Sequence, residues 1–241
     1  MLYGLLGDIH SNIEALDAVL GKLRSEGVER FLSVGDIVGY GADPKACIDR
    51  VREIGATVVA GNHDWAVVGK LETTFFNVYA KEAVDWTRSQ LEPDDLAWLS
   101  SRPLVEVVDD EITVVHATLD QPANFDYIQT YYDAARTINA METHVCMVGH
   151  SHVPLAFILE DSIRLAMGTR LDLSDCDRAL LNVGSIGQPR DENPKAACGI
   201  YDSETGEYRL ERVPYDIGTA SEKIRSAGLP GILADRLRFG R

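Results

Sequence analysis

Apolar runs of four or five residues recur along the first part of the chain, and each breaks off in a polar, glycine-containing turn. Leu2 to Leu6 runs into Gly7-Asp8-Ile9-His10-Ser11-Asn12, Arg30 to Val34 into Gly35-Asp36, and Thr57 to Ala60 into Gly61-Asn62-His63-Asp64. Short unbroken apolar runs suit strands buried on both faces. Between them, Ile13, Leu16, Val19, Leu20 and Leu23 fall at helical spacing. Asn12 is placed to cap that helix, which reaches about Arg24 before Gly27 ends it. Pro44, preceded by Asp43, sits where a first helical turn tolerates proline and predicts a second helix to about Ile54. Strand, helix, strand, helix, strand implies right-handed crossovers and a parallel sheet. Sheets of this kind present ligands at the carboxyl ends of their strands.

The pattern then changes. Phe75 to Leu91 and Pro93 to Leu99 read as helices, and Val105 to Val108 with Ile112 to Val115 as a hairpin that runs into His116. A loop of about 15 residues follows, long enough to expect a functional role. Tyr131 to Met141 reads as a helix, and Val145 to Val148 as a strand ending in Gly149-His150-Ser151-His152. Short β segments are predicted at Leu155 to Leu159, Arg164 to Met167 and Ala179 to Val183, the last leading into Gly184-Ser-Ile-Gly187-Gln-Pro-Arg190. A hairpin of Ala196 to Tyr201 and Glu207 to Val213, and a helix from Ile217 to Ser226, complete the chain. No repeat, low-complexity tract or linker interrupts it, so one domain over residues 1–241 is expected.

Of the six histidines, His10, His63, His116, His150 and His152 lie at or just beyond the end of an apolar run, as do Asp8, Asp36 and Asn62. Side chains alternate along a strand, so Asp8 and His10 are expected to point the same way, and His150 and His152 to share a face. Nitrogen and oxygen donors without cysteine suit divalent Mn, Fe, Co, Ni or Zn. The donors are too many for one tetrahedral zinc, whereas two metals sharing a carboxylate would use them all. His144 precedes its strand and is expected in solvent.

Charge narrows the choice of partner. With 23 Lys and Arg against 38 Asp and Glu, the net charge of −15 counts against a nucleic-acid scaffold and against docking on an anionic membrane. No stretch reaches the ~18 apolar residues of a membrane span. The N-terminus shows no basic leader, and Cys47, Cys146, Cys176 and Cys198 form no C-x-x-C pair. The expectation is a cytoplasmic protein with reduced, mostly buried thiols.

The order Gly7-Asp8-Ile9-His10, Gly35-Asp36, Gly61-Asn62-His63-Asp64, His116 and Gly149-His150-Ser151-His152 resembles the calcineurin-like metallophosphoesterases. The continuation Asn182-Val-Gly184-Ser-Ile-Gly187-Gln-Pro-Arg190 resembles their bacterial phosphodiesterase-like subgroup. The resemblance implies an α/β fold of two mixed β-sheets packed face to face with helices on both outer faces. It implies two divalent cations. Asp8, His10 and His152 would hold one, Asn62, His116 and His150 the other, and Asp36 would bridge them. His63 would lie over the leaving-group oxygen, with Asp64 hydrogen-bonded to it to set its tautomer. Two departures stand out: Ser11 and Ala117 occupy positions where glycine is frequent in the family.

Two cations about 3.5–4 Å apart generate hydroxide at neutral pH and clamp phosphoryl oxygens during in-line attack. His63 has the ordinary pKa of a proton donor to an alkoxide. Arg190 is the candidate to grip the substrate's phosphate, since a guanidinium matches its geometry bidentately. Tyr40 and Tyr127 are candidates to stack on a base. The reading is a phosphoesterase for a small phosphate ester, a diester before a monoester. A scaffold that keeps the metal site without catalysis, and a metallohydrolase for a non-phosphate ester, stay open. A protein phosphatase or dinucleoside polyphosphate hydrolase is disfavoured: no arginine follows Asp36, and the third motif ends in Asp64 rather than the glutamate of protein phosphatases.

Overall fold

The computed structural model describes residues 1–241. Strand β1 (Leu2–Leu6) is followed by α1 (Ile13–Ser25), which Asn12 caps by accepting from the Ala15 amide at 3.1 Å. Then come β2 (Arg30–Ser33), α2 (Pro44–Glu53), the two-residue β3 (Thr57–Val58) and α3 (Asn62–Val67). Helix α3 is too short for an apolar period and was not expected. Its signal is local: the Asp64 carboxylate reaches back to accept from the Gly61 amide at 3.0 Å, the reach of an acidic residue in a first turn.

Helix α4 (Val78–Gln90) starts later than the apolar spacing predicts. Asn77 accepts from the Ala80 amide at 2.9 Å and so fixes the start, leaving Phe75 in a separate 3-10 turn, Thr73–Phe75. Helix α5 (Pro93–Ser100), strands β4 (Val105–Val108) and β5 (Ile112–Val115), and helix α6 (Tyr131–Ala140) follow. The chain continues through β6 (Val145–Val148), β7 (Leu155–Leu159), β8 (Ile163–Ala166), β9 (Arg170–Asp172), β10 (Arg178–Asn182), β11 (Ala196–Asp202) and β12 (Glu207–Val213). It ends in α7 (Ile217–Ser226) and α8 (Gly231–Asp235). Strand β9 and helix α8 carry no clear pattern in the sequence.

Two six-stranded sheets result, ordered β3-β2-β1-β11-β12-β9 and β4-β5-β6-β10-β7-β8. The predicted parallel run is present in β1, β2 and β3, but β11, β12 and β9 extend it antiparallel, so the sheet is mixed. The second sheet is mixed too, with β5, β6 and β10 parallel at its centre. Tyr3 and Leu5 of β1 join Leu32, Val114, Met147, Ile158 and Leu181 in the core between the sheets. Leu6 turns the other way, into a second core with Leu16, Leu20, Leu23 and Ile48 of α1 and α2. Ala134 and Ile138 of α6 cover the far side of the other sheet. Both faces of both sheets are therefore roofed, which is why the central strands read as unbroken apolar runs.

All four cysteines are free and buried. No helix is long and apolar enough to cross a membrane. His144 is half-buried rather than solvent-exposed, because the turn before β6 folds its ring onto the Leu173 carbonyl at 3.0 Å.

Leu20 is fully buried beneath the first sheet. Leu20→Ala is expected to cost about 2–5 kcal/mol, seen as a lower urea midpoint with unchanged slope. A loss below about 1 kcal/mol would mean that this core collapses to fill the gap.

Candidate metal centre

Asp8, His10, Asp36, Asn62, His63, His116, His150 and His152 converge at the carboxyl ends of β1, β2, β3, β5 and β6, all buried. Strand alternation does not bring them together, as had been expected. β1 ends at Leu6, and Asp8 (φ 47°), His10 (φ 47°), Asp36 (φ 50°), His150 (φ 66°) and His152 (φ 60°) all have left-handed backbone. The chain curls sharply after each strand and throws these side chains inward. Such conformations are costly for non-glycine residues and persist where the surroundings over-determine them.

The surroundings are specific. The Ile186 and Gly187 amides donate to the carbonyls of Gly7 and Asp8 at 2.8 and 3.0 Å, and Ser185 Oγ donates to the Asp8 carbonyl at 2.8 Å. Asn182 Nδ2 donates to the Gly149 carbonyl at 2.6 Å. The 182–188 segment thus ties the first and last ligand loops together. In the sequence the stretch from Asn182 to Arg190 stands out by its resemblance, but only Arg190, just beyond the tie, is given a role there. Gly61 lies against the Asp36 carboxylate so closely that a Cβ there would run into it. Gly39 (φ 93°) passes beneath His63, where a Cβ would lie 2.6 Å from Nδ1.

Hydrogen bonds define the tautomers. His10 Nδ1 lies 3.1 Å from the Val38 carbonyl, His116 Nδ1 2.8 Å from the Val34 carbonyl and His152 Nδ1 2.6 Å from the Gln188 carbonyl. A carbonyl only accepts, so each Nδ1 carries the proton and each Nε2 presents a lone pair. Those lone pairs face other acceptors. The Nε2 atoms of His10 and His152 are 3.0 Å apart, and His116 Nε2 lies 3.0 Å from Asn62 Oδ1. Asp36 Oδ2 is 3.6 Å from His10 Nε2 and 3.4 Å from His116 Nε2, between the two groups. Asp8 Oδ1 is 3.5 Å from His152 Nε2. His150 Nε2 has no partner.

Two donor groups within mutual reach result, Asp8 with His10, Asp36 and His152, and Asp36 with His116 and His150. Acceptors crowded on acceptors fit a cation between them, and the donor chemistry suits a divalent transition metal. Without one, burial drives the site towards neutrality. It raises the Asp8 carboxyl well above its usual range, with Asp36 adding to the effect, and pushes Asp36 up to about 7. Burial lowers His116 to about 4 and holds His10, His150 and His152 well below the usual histidine range. A bound cation reverses this for the carboxylates by favouring their charged form.

His63 stands beside the two donor groups, its ring 4.9 Å from that of His10 and 4.4 Å from that of Tyr40. The expected hydrogen bond from Asp64 is not made. Asp64 accepts instead from the amides of Gly61 and Val38 at 3.0 and 3.2 Å, and His63 Nδ1 has no partner. Neighbouring residues of a helix point about 100° apart, which directs Asp64 back to the helix start and away from the His63 ring. Asp64 therefore shapes the loop that carries His63. Arg190 lies on the same cavity as Asp36, Asn62, His63, His150 and His152. Its Nη2 donates to the Tyr40 hydroxyl at 3.3 Å and to Gln188 Oε1 at 3.0 Å, its Nε is unpartnered, and it makes no direct ion pair, although its charge reaches Asp8 and Asp36.

Comparison with known proteins shows the family. The family model described as the calcineurin-like phosphoesterase superfamily domain matches residues 1–206. An uncharacterised protein of Methanocaldococcus jannaschii is 36% identical over all of this chain and 98% of its own length. The crystal structure of a metallophosphoesterase from Sphaerobacter thermophilus superposes with a TM-score of 0.88 at 38% identity, covering 100% of this chain and 99% of that one. A hypothetical protein of Pyrococcus horikoshii shares the fold with a TM-score of 0.80 at 22% identity, covering 100% and 98%. On these grounds the chain belongs to the calcineurin-like phosphoesterase superfamily, whose members use divalent metals.

Proposed function

We propose that the protein is a dinuclear, metal-dependent phosphoesterase for small phosphate esters. Asp8, His10, Asp36 and His152 would hold one cation, and Asp36, Asn62, His116 and His150 the other. The observation that carries this reading is the pair of Nε2 lone pairs, on His10 and His152, facing each other at 3.0 Å beside the Asp36 carboxylate. When bound, the cations supply a hydroxide nucleophile at neutral pH and neutralise charge on the phosphoryl group.

The chain's own residues do the rest. Arg190, in no direct ion pair, receives a phosphoryl oxygen and fixes the ester's orientation. One guanidinium facing the centre suits the monoanion of a diester better than the dianion of a monoester. His63 donates a proton to the departing alkoxide. In the free site burial, and then the Arg190 charge, push His63 down to about 3. A phosphate anion seated on Arg190 offsets the second influence and favours the protonated ring, while burial, the larger influence, continues to oppose it.

Metal analysis of the purified protein is expected to find two equivalents of transition metal, and chelation to abolish turnover of bis(p-nitrophenyl) phosphate. Mn, Co or Ni should restore it. Absence of turnover with every one of these metals would overturn the proposal. Gly61→Ala, which pushes a Cβ into the Asp36 carboxylate, is expected to weaken metal affinity about 10–100-fold while the circular dichroism spectrum is retained.

His63→Ala should keep its metal and lose about 10²–10⁴-fold in kcat on alkyl diesters. The loss should be far smaller on p-nitrophenyl esters, whose leaving group departs without a proton. Equal losses on the two substrates would remove the proton-donor role from His63.

A further inference from the structure

The cavity over the centre has a volume of about 260 Å³, and beyond the proposed ligands its lining includes five aromatic residues, Tyr40, Phe75, Phe76, Phe125 and Tyr127. The last four come from two segments distant in sequence, the 3-10 turn before α4 with the residue after it and the 117–130 segment. Phe76 lies 5.0 Å from the His63 ring, and Tyr127 stacks on His150 at 4.0 Å with the planes 24° apart. Phe75 is 98% exposed and Tyr127 46% exposed, both on the wall of this cavity. An aromatic ring left in water beside a reaction centre has a free face for a ligand to cover.

The polar groups interleaved with these rings limit what that ligand is. Asn77 and Asn124 line the same cavity, and the side-chain amide of each makes one local hydrogen bond that leaves further amide atoms free. Glu72 also lines it and is unfavourable to a second phosphate. Flat hydrophobic faces with amide edges match a heteroaromatic base, which stacks on its faces and hydrogen-bonds along its edge. A sugar or glycerol group would leave Phe75 uncovered. The cavity lies below the ~300–1,000 Å³ usual for drug-sized ligands, which suits one nucleotide rather than a polymer.

We infer that the substrate is a nucleoside monophosphate ester, its base stacked on Phe75 and Tyr127 while its phosphate lies between the metal centre and Arg190. The inference rests on the phosphoesterase reading for its reaction but not for its binding.

Calorimetric titration of the Mn-loaded full chain tests it with AMP and ribose 5-phosphate, which differ only in the base. AMP is expected to bind about tenfold more tightly or better. Phe75→Ala should remove most of that gap without lowering Tm, since the ring is exposed, and Phe75→Trp should keep it. In turnover, the kcat/KM ratio of the p-nitrophenyl ester of thymidine monophosphate to methyl p-nitrophenyl phosphate should fall in Phe75→Ala by the same factor. Equal affinity for AMP and ribose 5-phosphate, or a gap untouched by Phe75→Ala, overturns the base site even if phosphate esters are hydrolysed. Discrimination for AMP without hydrolysis of any ester leaves the base site standing and overturns the catalytic reading instead.

Discussion

The constraint on which the structure depends is the crowding of hydrogen-bond acceptors in a buried place. Two carboxylates and several imidazole lone pairs point at one another beneath the molecular surface. Isolated buried charge is expensive, and proteins answer by neutralising the group or pairing it. Here burial alone drives the groups towards neutrality, whereas cations would satisfy every lone pair and keep the carboxylates charged. The backbone carbonyls of Val34, Val38 and Gln188 decide which, because each fixes a ring with its lone pair inward. That arrangement is wasteful in a site meant only to be folded and dry, and apt in one meant to receive metal.

The fold's contribution is to hold strained backbone still. Of the non-glycine residues with left-handed φ, Asp8, His10, Ser11, Asp36, Tyr40, Phe125, His150 and His152 lie in or beside the centre. Each costs of order 1–3 kcal/mol. They are held by parallel strands whose ends lie side by side in the two sheets, and by the 182–188 segment that bonds to the loops after β1 and β6. Ser11 shows the same logic. It stands where glycine is frequent in the family, yet keeps the left-handed turn (φ 53°) that glycine would adopt without strain.

This explains which features were legible in the sequence. Long periodic elements were readable because burial dictates their pattern: α1 and the central strands fall within a residue or two of expectation. The candidate donor residues and their places at strand ends were readable too, since polar residues ending apolar runs are conspicuous. How they converge was not. Alternation along extended strands accounts for Asp8 with His10 on paper, but the real cause is positive φ, which leaves no trace in a run of non-glycine residues. Asp64 looked like a partner for His63 for the same reason: adjacency in sequence hides the angle between neighbours on a helix. The roles of Gln188 and Gly61 were not legible because their work is done through a backbone carbonyl and through absent side-chain volume, and that of Ser185 because its hydroxyl bonds to a backbone carbonyl, that of Asp8, 177 residues away.

A net charge of −15 sits oddly beside the binding of a phosphate ester until range is considered. At physiological ionic strength exposed charges are screened over about 8 Å, whereas buried ones act at nearly full strength on what they touch. The acidic exterior therefore repels polyanions that must approach over a wide area, while a small ester that enters the cavity meets Arg190 and the cation-seeking centre at contact distance. The aromatic walls work in the same direction. Stacking does not depend on charge, so it retains an organic group that the outer surface would not attract. On the proposed reading, selection would be by size and shape at the cavity mouth first and by electrostatics only inside, the reverse of an enzyme that draws substrate in along a long-range field.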